Sequence, residues 1–467
     1  MSDIISQIGD IAEDILPMCT AKIRKSFKNL FIETLILFVV MDKVNFTQLA
    51  RYGTHNEKTY RHHFENPDVD TVTFNLELAK RYFGDSIGIR AIAFDPCYIN
   101  KSGKKTEGVD YFWSGCANSA KWGLEIAGVG LIDTSAHDCI MLEAVQTPSG
   151  KVFGSDAILQ HEESEKNLVG KEAVSDYDDI KDDVDMKMPR PYHKKKQIDT
   201  VACSENKNND STDICFTLID WYLNILTSLP KCIHDYTNLV VADAFFSKRK
   251  FIQGLRKHGY ELVSRLRDDA ALWYLYTGLP TGGRGRPRMF AGKVDYDNLD
   301  RKVFYRLDLD IDSGECFAGK VYSKSLGMKI KVVIWFSDDH KRHKIYFSNR
   351  LWMSGRAIVE VYKSRFQIEF NYRSGKGFAS LNKCQARSMN KLRTHFNLSF
   401  TSINCLKLAA KQNGIPFSIS SLKTMVHAQY LMNRFICVSG LSPNSELINK
   451  LNKEVITLTR LDIKPAA

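Results

Sequence analysis

Three carboxylates and the cations around one of them carry the most chemical information in this sequence. Ile89-Arg-Ala-Ile-Ala-Phe-Asp95 and Asn238-Leu-Val-Val-Ala-Asp243 are each a short apolar run ending in an aspartate. Glu369 stands in the stretch Gly355 to Lys376, whose period predicts a helix with Tyr362, Arg365 and Glu369 on a narrow arc of one face. A strand-end aspartate alone is an ordinary turn or cap residue, and a charged helix face alone is an ordinary solvated surface. Three acids brought together repel unless a cation joins them, and hard divalent ions take oxygen ligands. Two such ions activate a water on one side of a phosphodiester and stabilise the departing oxygen on the other. The chemistry these residues suit is metal-dependent cutting of phosphodiesters.

A sheet and a helix must position them. Ile126–Asp133 and Ile140–Val145 read as two more strands after the one ending at Asp95, which predicts an antiparallel start to a mixed sheet. Asp243 leads into a basic amphipathic helix ending near Gly259, with Ser247 as its cap, and then into the strand Tyr260–Arg267. Strand, helix, strand predicts a parallel pair. Four further strands are expected at Lys302–Leu309, Cys316–Tyr322, Lys329–Phe336 and His343–Phe347. Glycine is the usual helix stop, so the helix carrying Glu369 is expected to end at Ser374-Gly375, with Lys376 at or just past its end. Helices are also expected at about 212–228 and 383–411, the latter basic at first, and as a pair within 417–460.

Residues 1 to about 85 read as helical. Leu30–Met41 is too short and too interrupted by Glu33 to span a bilayer and is expected to be a buried helix. Val44–Gly53 and Thr54–Phe64 outline a helix-turn-helix, with Thr54 and Glu57 as a capping box. Its second helix offers Lys58, Arg61, His62 and His63 to a DNA groove or backbone. Lys plus Arg exceed Asp plus Glu by 65 to 54, a net +11, which favours a polyanionic partner. Eleven scattered cysteines without a Cys-x-x-Cys pair argue against a zinc ribbon or disulfide framework and for a reducing cytoplasm, and no signal peptide is expected. From Glu162 to Asp185 the chain is densely acidic, then turns basic at Pro189–Lys196; a mobile loop over about 160–200 is expected. Gly282-Gly-Arg-Gly-Arg-Pro-Arg288 offers Arg284 and Arg286, which could enter a minor groove, contact a DNA backbone or simply form a turn.

The spacing Tyr362-x2-Arg365-x3-Glu369-x6-Lys376 arises by chance in about one chain of this length in a few hundred. It resembles the signature of bacterial insertion-sequence transposases of the DDE type, and the resemblance extends over about residues 86 to 410. It implies an α/β, ribonuclease-H-like mixed sheet flanked by helices, with an inserted β-domain between the second and third acid. The implied catalytic and metal-binding residues are Asp95, Asp243 and Glu369, holding two magnesium ions that manganese could replace. Tyr362, Arg365 and Lys376 would contact DNA phosphates, with Lys104, Lys105, Lys58, Arg61, Arg284 and Arg286 as further DNA contacts. The implied reaction frees a 3′-hydroxyl at the element's ends and joins it to target DNA. The implied partners are double-stranded DNA, both terminal repeats and target, and a second copy in a homodimer on paired ends, with no membrane. Relatives stack a flipped base on a tryptophan of the insertion; Trp273 and Trp335 are the candidates, against burial in its core.

The expected organisation is an N-terminal helical DNA-binding domain over 1–85 and a catalytic domain over 86–269 and 351–411. An inserted β-domain would occupy 270–350 and a C-terminal helical region 412–467. The expected setting is the bacterial cytoplasm, at the nucleoid. Two other readings share the residues: a nuclease of the same fold without strand transfer, and a catalytically silent or captured transposase acting as a DNA-binding regulator.

Overall fold

Burial alternates along the strand that carries Asp95, and the alternation divides the molecule into two layers. Ala91 and Ala93 face one apolar cluster while Ile92 and Phe94 face the other, as the two-residue period of a pleated strand requires. The structure, a computed structural model, describes residues 4–19, 24–150, 216–278, 288–309 and 314–439, together with 446, 450, 451, 453 and 454. The acidic stretch, its basic continuation and the Gly282–Arg288 turn lie outside the described residues, apart from Arg288.

The N-terminal segment is helical, as its pattern predicts: α1 (Ile4–Cys19), α2 (Lys25–Val40), α3 (Phe46–Tyr52), α4 (Glu57–Glu65) and α5 (Thr71–Phe83). Leu30–Val40 is buried on most of its surface, and no helix among the described residues is long and apolar enough to cross a membrane. The expected capping box at Thr54 does not form. Asn56 caps α4 by accepting the Thr59 amide at 2.9 Å, while the Thr54 amide donates to Glu33 and Glu57 pairs with Arg61. An Asx cap two residues later satisfies the same free amides, so the helix starts there instead.

A sheet follows: β1 (Arg90–Asn100), β2 (Asp110–Ser114), β3 (Ser119–Asp133) and β4 (Asp138–Gln146) are antiparallel neighbours around β3. Helices α6 (Leu218–Thr227) and α7 (Lys231–Tyr236) lead to β5 (Leu239–Ala242), α8 (Arg249–Lys257) and β6 (Glu261–Leu266). The expected parallel unit is present: β5 pairs parallel with both β1 and β6. Ser247 does not cap α8; its hydroxyl bonds Ser264 and the Arg265 carbonyl, while Asp243 caps the short turn Ala244–Phe246.

The strands expected between 270 and 350 are β7 (Leu272–Leu275), β8 (Phe290–Lys293), β9 (Tyr305–Leu307), β10 (Gly314–Ser323), β11 (Met328–Ser337) and β12 (His343–Ser348). They continue the same sheet, because β12 pairs antiparallel with β6, giving the order β2-β3-β1-β5-β6-β12-β11-β10-β7-β8.

The chain then returns across the sheet as α9 (Gly355–Ser364), α10 (Gln367–Phe378), α11 (Met389–Gln412) and α12 (Ile419–Ser439). Helix α11 is buried on all sides from Thr394 to Ala410, including its polar residues. Those polar residues close the free edge of β4. The Asn397 amide exchanges two hydrogen bonds with Ala144, Asn404 exchanges two with Met141, and Asn371 of α10 donates to the Cys139 carbonyl. Backbone groups that would otherwise be buried unpaired are thus satisfied by side chains.

Candidate active site

Asp95 and Asp243 reach one place through strand register. The parallel pairing of β1 and β5 runs through Phe94 and Ala242, and the two aspartates are the next residue on each strand. Asp95 does not end its strand, as the apolar run suggests; β1 continues to Asn100 because the fifteen-residue β3 keeps pairing with it. Directly opposite Asp95 on β3 is Gly128. A Cβ there would lie 2.0 Å from the Tyr372 hydroxyl, so the glycine leaves the gap through which Tyr372 of α10 donates to the Asp95 carbonyl. The tyrosine locks the backbone that presents the acid.

Glu369 arrives from the opposite layer. The expected single helix is two abutting ones, α9 and α10, joined at Arg365 and Phe366, both still in right-handed helical conformation. The Arg365 amide is shared between the Val361 and Tyr362 carbonyls, and those of Phe366, Ile368 and Glu369 reach back three residues rather than four, so one tight turn marks the joint. The expected stop at Gly375 is not used. Helix α10 runs on to Phe378, and Gly375 instead allows close packing, since a Cβ there would lie 3.1 to 3.3 Å from Leu381 and Phe400. Lys376 therefore sits within the helix, where its charge acts on the half-buried Cys97 thiol two residues beyond Asp95.

Arg365 ties the two halves. Its Nη1 donates to Asp95 Oδ1 at 3.1 Å and its Nη2 to Glu369 Oε1 at 2.9 Å. Burial, then the charges of Asp243, Glu369 and Glu125, push the Asp95 carboxyl up to about 8 despite the opposing pull of Arg365. Burial also raises Glu369, against Arg365 and with Asp243. Burial disfavours the Arg365 charge, but Asp95 foremost, then Tyr362, Asp243 and Glu369, more than offset it and hold the guanidinium above its ordinary value. Each acid thus feels the others: a concentrated, half-buried negative charge with one fixed cation. Tyr362 packs its ring on Tyr346 of β12, 5.1 Å between centroids.

Among the described residues, no three His, Cys, Asp or Glu side chains stand assembled as a metal cluster. The donor chemistry nevertheless fits hard divalent cations. The acids offer only carboxylate oxygens, and burial foremost, then the neighbouring carboxylates, raises Asp95 and Glu369, a cost that a bound cation would offset. Asp95 and Glu369 are engaged by Arg365 in this arrangement.

The remaining predicted contacts are dispersed. Lys104 and Lys105 are exposed in the turn between β1 and β2. Lys58 is exposed on α4, whereas Arg61 is held by Glu57 and covers the Phe46 ring, and His63 is buried rather than presented. Arg284 and Arg286 lie outside the described residues. Trp335 is buried and Trp273 half-buried, each with a lysine over its ring. The spacing did not point to Tyr372, Gly128 or Glu125. Glu125 lies three residues before Gly128 and so on the other face of the sheet, accepting hydrogen bonds from Tyr222 at 2.6 Å and Thr147 at 2.8 Å. Tyr372, three residues after Glu369, was readable only as one more helix position.

The fold and site define a mixed α/β protein in which Arg365, between two abutting helices, bridges Asp95 of a central strand and Glu369. Residues 197–405 match the family model of the transposase DDE domain. The match takes in Asp243, Arg365 and Glu369; Asp95 lies ahead of it. No curated protein matches the chain.

Proposed function

We propose that the chain is the transposase of a bacterial insertion sequence, binding the element's ends and catalysing DNA cleavage and strand transfer at Asp95, Asp243 and Glu369. One observation carries this reading: two aspartates next to each other on parallel strands, with a helical glutamate joined to the first through Arg365. The order β4-β3-β1-β5-β6, with β1, β5 and β6 parallel and the first strands antiparallel, supports a ribonuclease-H-like core. In this reading residues 86–269 and 351–411 form the catalytic part, and 270–350 an inserted extension of its sheet. Residues 1–85 form a DNA-binding domain and 412–467 a helical region used in pairing two copies.

Asp95, Asp243 and Glu369 would hold two magnesium or manganese ions, which when bound supply the polarisation of water and of the departing 3′-oxygen. The chain's own residues do the rest. Tyr372 and the β1–β3 ladder fix the Asp95 backbone, and the Asp243 carboxylate is oriented by its bond from the Phe245 amide, 3.0 Å away. Arg365 balances charge between Asp95 and Glu369, and with Tyr362 and Lys376 would bind phosphates of the scissile strand.

The test is cleavage of labelled DNA carrying the flanking terminal repeats, with magnesium, by the unaltered chain and by Glu369→Gln. A nick at the repeat boundary that the variant binds but does not make supports the proposal. Binding without cutting in either magnesium or manganese rejects it in favour of a silent, DNA-binding regulator.

A further inference from the structure

Cys384, His395 and Lys101 form a second reactive cluster, which the proposed DNA chemistry does not use. Cys384 lies in the segment between α10 and α11, and it lines one cavity with His395 of α11, whose ring interacts electrostatically with its thiol. The His395 ring is oriented by a third group: Nε2–H donates to the Ser380 carbonyl at 2.8 Å, which leaves Nδ1 as the nitrogen able to take up a proton. The ring is clamped between Phe38 and Phe64, with centroids 5.1 and 6.4 Å away. Lys101, just after β1, places its ammonium on the Cys384 and Ala386 carbonyls at 2.6 and 2.9 Å. A nucleophile, a base and a group orienting the base, beside a fixed cation, are the parts of an activated thiol.

The cluster is also reachable. Cys384 and His395 line a cavity of about 150 Å³ together with Asn45, Phe46, Arg61 and Gln385. The cavity is bordered by residues of α3, α4, α11 and the segment leading into α11, and Cys384 is half-buried rather than sealed. Burial works against ionisation of the thiol, but His395, the Ala386 amide and Lys101 outweigh it and bring the thiol below its ordinary value. Burial lowers His395 in turn, and Cys384 with the Ser380 carbonyl more than restores it. The other charged groups nearby are Arg387 beside Lys101, and Arg61 on α4 with the Glu57 carboxylate paired to it.

We infer that Cys384 is a modification site, a His395-activated thiol that reacts with small neutral or anionic disulfides and other soft electrophiles entering the cavity beside α3 and α4. In the disulfide reaction His395 Nδ1 takes the thiol proton and Cys384 Sγ attacks one sulfur of the incoming disulfide. The S–S bond breaks, and the departing thiolate leaves with its electron pair and accepts the proton from the imidazolium. The products are a mixed disulfide on Cys384 and one free small thiol.

Alkylation of the full chain by iodoacetamide, mapped by peptide mass across pH 5.5 to 9, tests this against Cys116 and Cys437, which are exposed. At pH 6.5 Cys384 is expected to react at least about tenfold faster than either, because exposed thiols lose about tenfold in rate per pH unit below their pKa while a paired thiolate does not. With 2-hydroxyethyl disulfide, Cys384 is expected to acquire a mixed disulfide that dithiothreitol removes. His395→Gln is expected to abolish the advantage. A Cys384 rate no higher than those of Cys116 and Cys437 at pH 6.5 overturns the inference, as does a folded His395→Gln chain that keeps the advantage. If that variant does not fold, the pH profile of the unaltered chain decides alone.

Discussion

Asp95 and Asp243 are neighbours on adjacent parallel strands, each following the paired residues Phe94 and Ala242. Nothing in the chain between them fixes that neighbourhood except the hydrogen-bond register of β1 and β5, so the site depends on the sheet being built correctly.

Loss of any one acid is expected to stop the chemistry without loss of binding. Asp95→Asn, Asp243→Asn and Glu369→Gln should each lower cleavage of terminal-repeat DNA by at least about a thousandfold. DNA affinity at fixed salt should stay within about threefold, since the cationic surface is untouched. Normal cleavage by one variant would remove that residue from the proposed metal site.

Arg365 is the fixed cation of the site, so its removal should make the fold depend on added metal. Arg365→Met leaves Asp95 and Glu369 without their partner, a loss of about 3 kcal/mol for a broken buried pair. In chelator the variant should melt well below the unaltered chain, and millimolar magnesium or manganese should narrow the gap. Melting curves that do not respond to either ion would count against a cation site at these acids.

The Gly128 gap can be tested by closing it. Gly128→Ala pushes a methyl into the Tyr372 hydroxyl and should cost about 1–3 kcal/mol. Because both residues act through one contact, Gly128→Ala combined with Tyr372→Leu should cost less than the sum of the single changes. Additive losses in chemical denaturation would show that the two do not communicate.

The side-chain cover of the β4 edge predicts a cost for replacing its amides by apolar side chains of the same heavy-atom count. Asn404→Leu strips partners from the Met141 amide and carbonyl and from Asn75, and should destabilise the fold by about 2 kcal/mol or more. Hydrogen exchange at the Met141 amide should accelerate in the variant, and unchanged protection there would contradict the assignment.

His63 supplies an acid-sensitive element. It is 2% exposed, neither ring nitrogen has a partner, and burial lowers its pKa from 6.5 to about 4. A depressed histidine pKa means the unfolded chain binds the proton first. The stability it allows is present above pH 6.5 and is lost as pH falls from there towards 4, by up to roughly 3 kcal/mol. His63→Phe should flatten the fall in unfolding free energy across that window; an unchanged slope would assign the loss to other groups.

The sequence by itself determined the elements that carry a strong local period. The apolar runs before Asp95 and Asp243, the parallel unit at β5–α8–β6 and the buried helix α2 all follow from alternation or helical spacing over a few residues. The acids and the signature residues could be picked out for the same reason, by type and spacing along one stretch. Tertiary structure alone decided what those residues touch. The joint at Arg365 and Phe366, the cap at Asn56, the passage of α10 through Gly375 and the extension of β1 past Asp95 each replaced a local expectation. For β1 the long-range partner β3 supplied the hydrogen bonds, and for α10 the packing of Leu381 and Phe400 on Gly375 supplied the contact, that the nearest residues do not record. Tyr372 on Asp95, Asn397 and Asn404 on β4, and His395 beside Cys384 are contacts whose geometry exists only once the layers close. Spacing records which face of an element is buried; it holds no record of the residue on the other side.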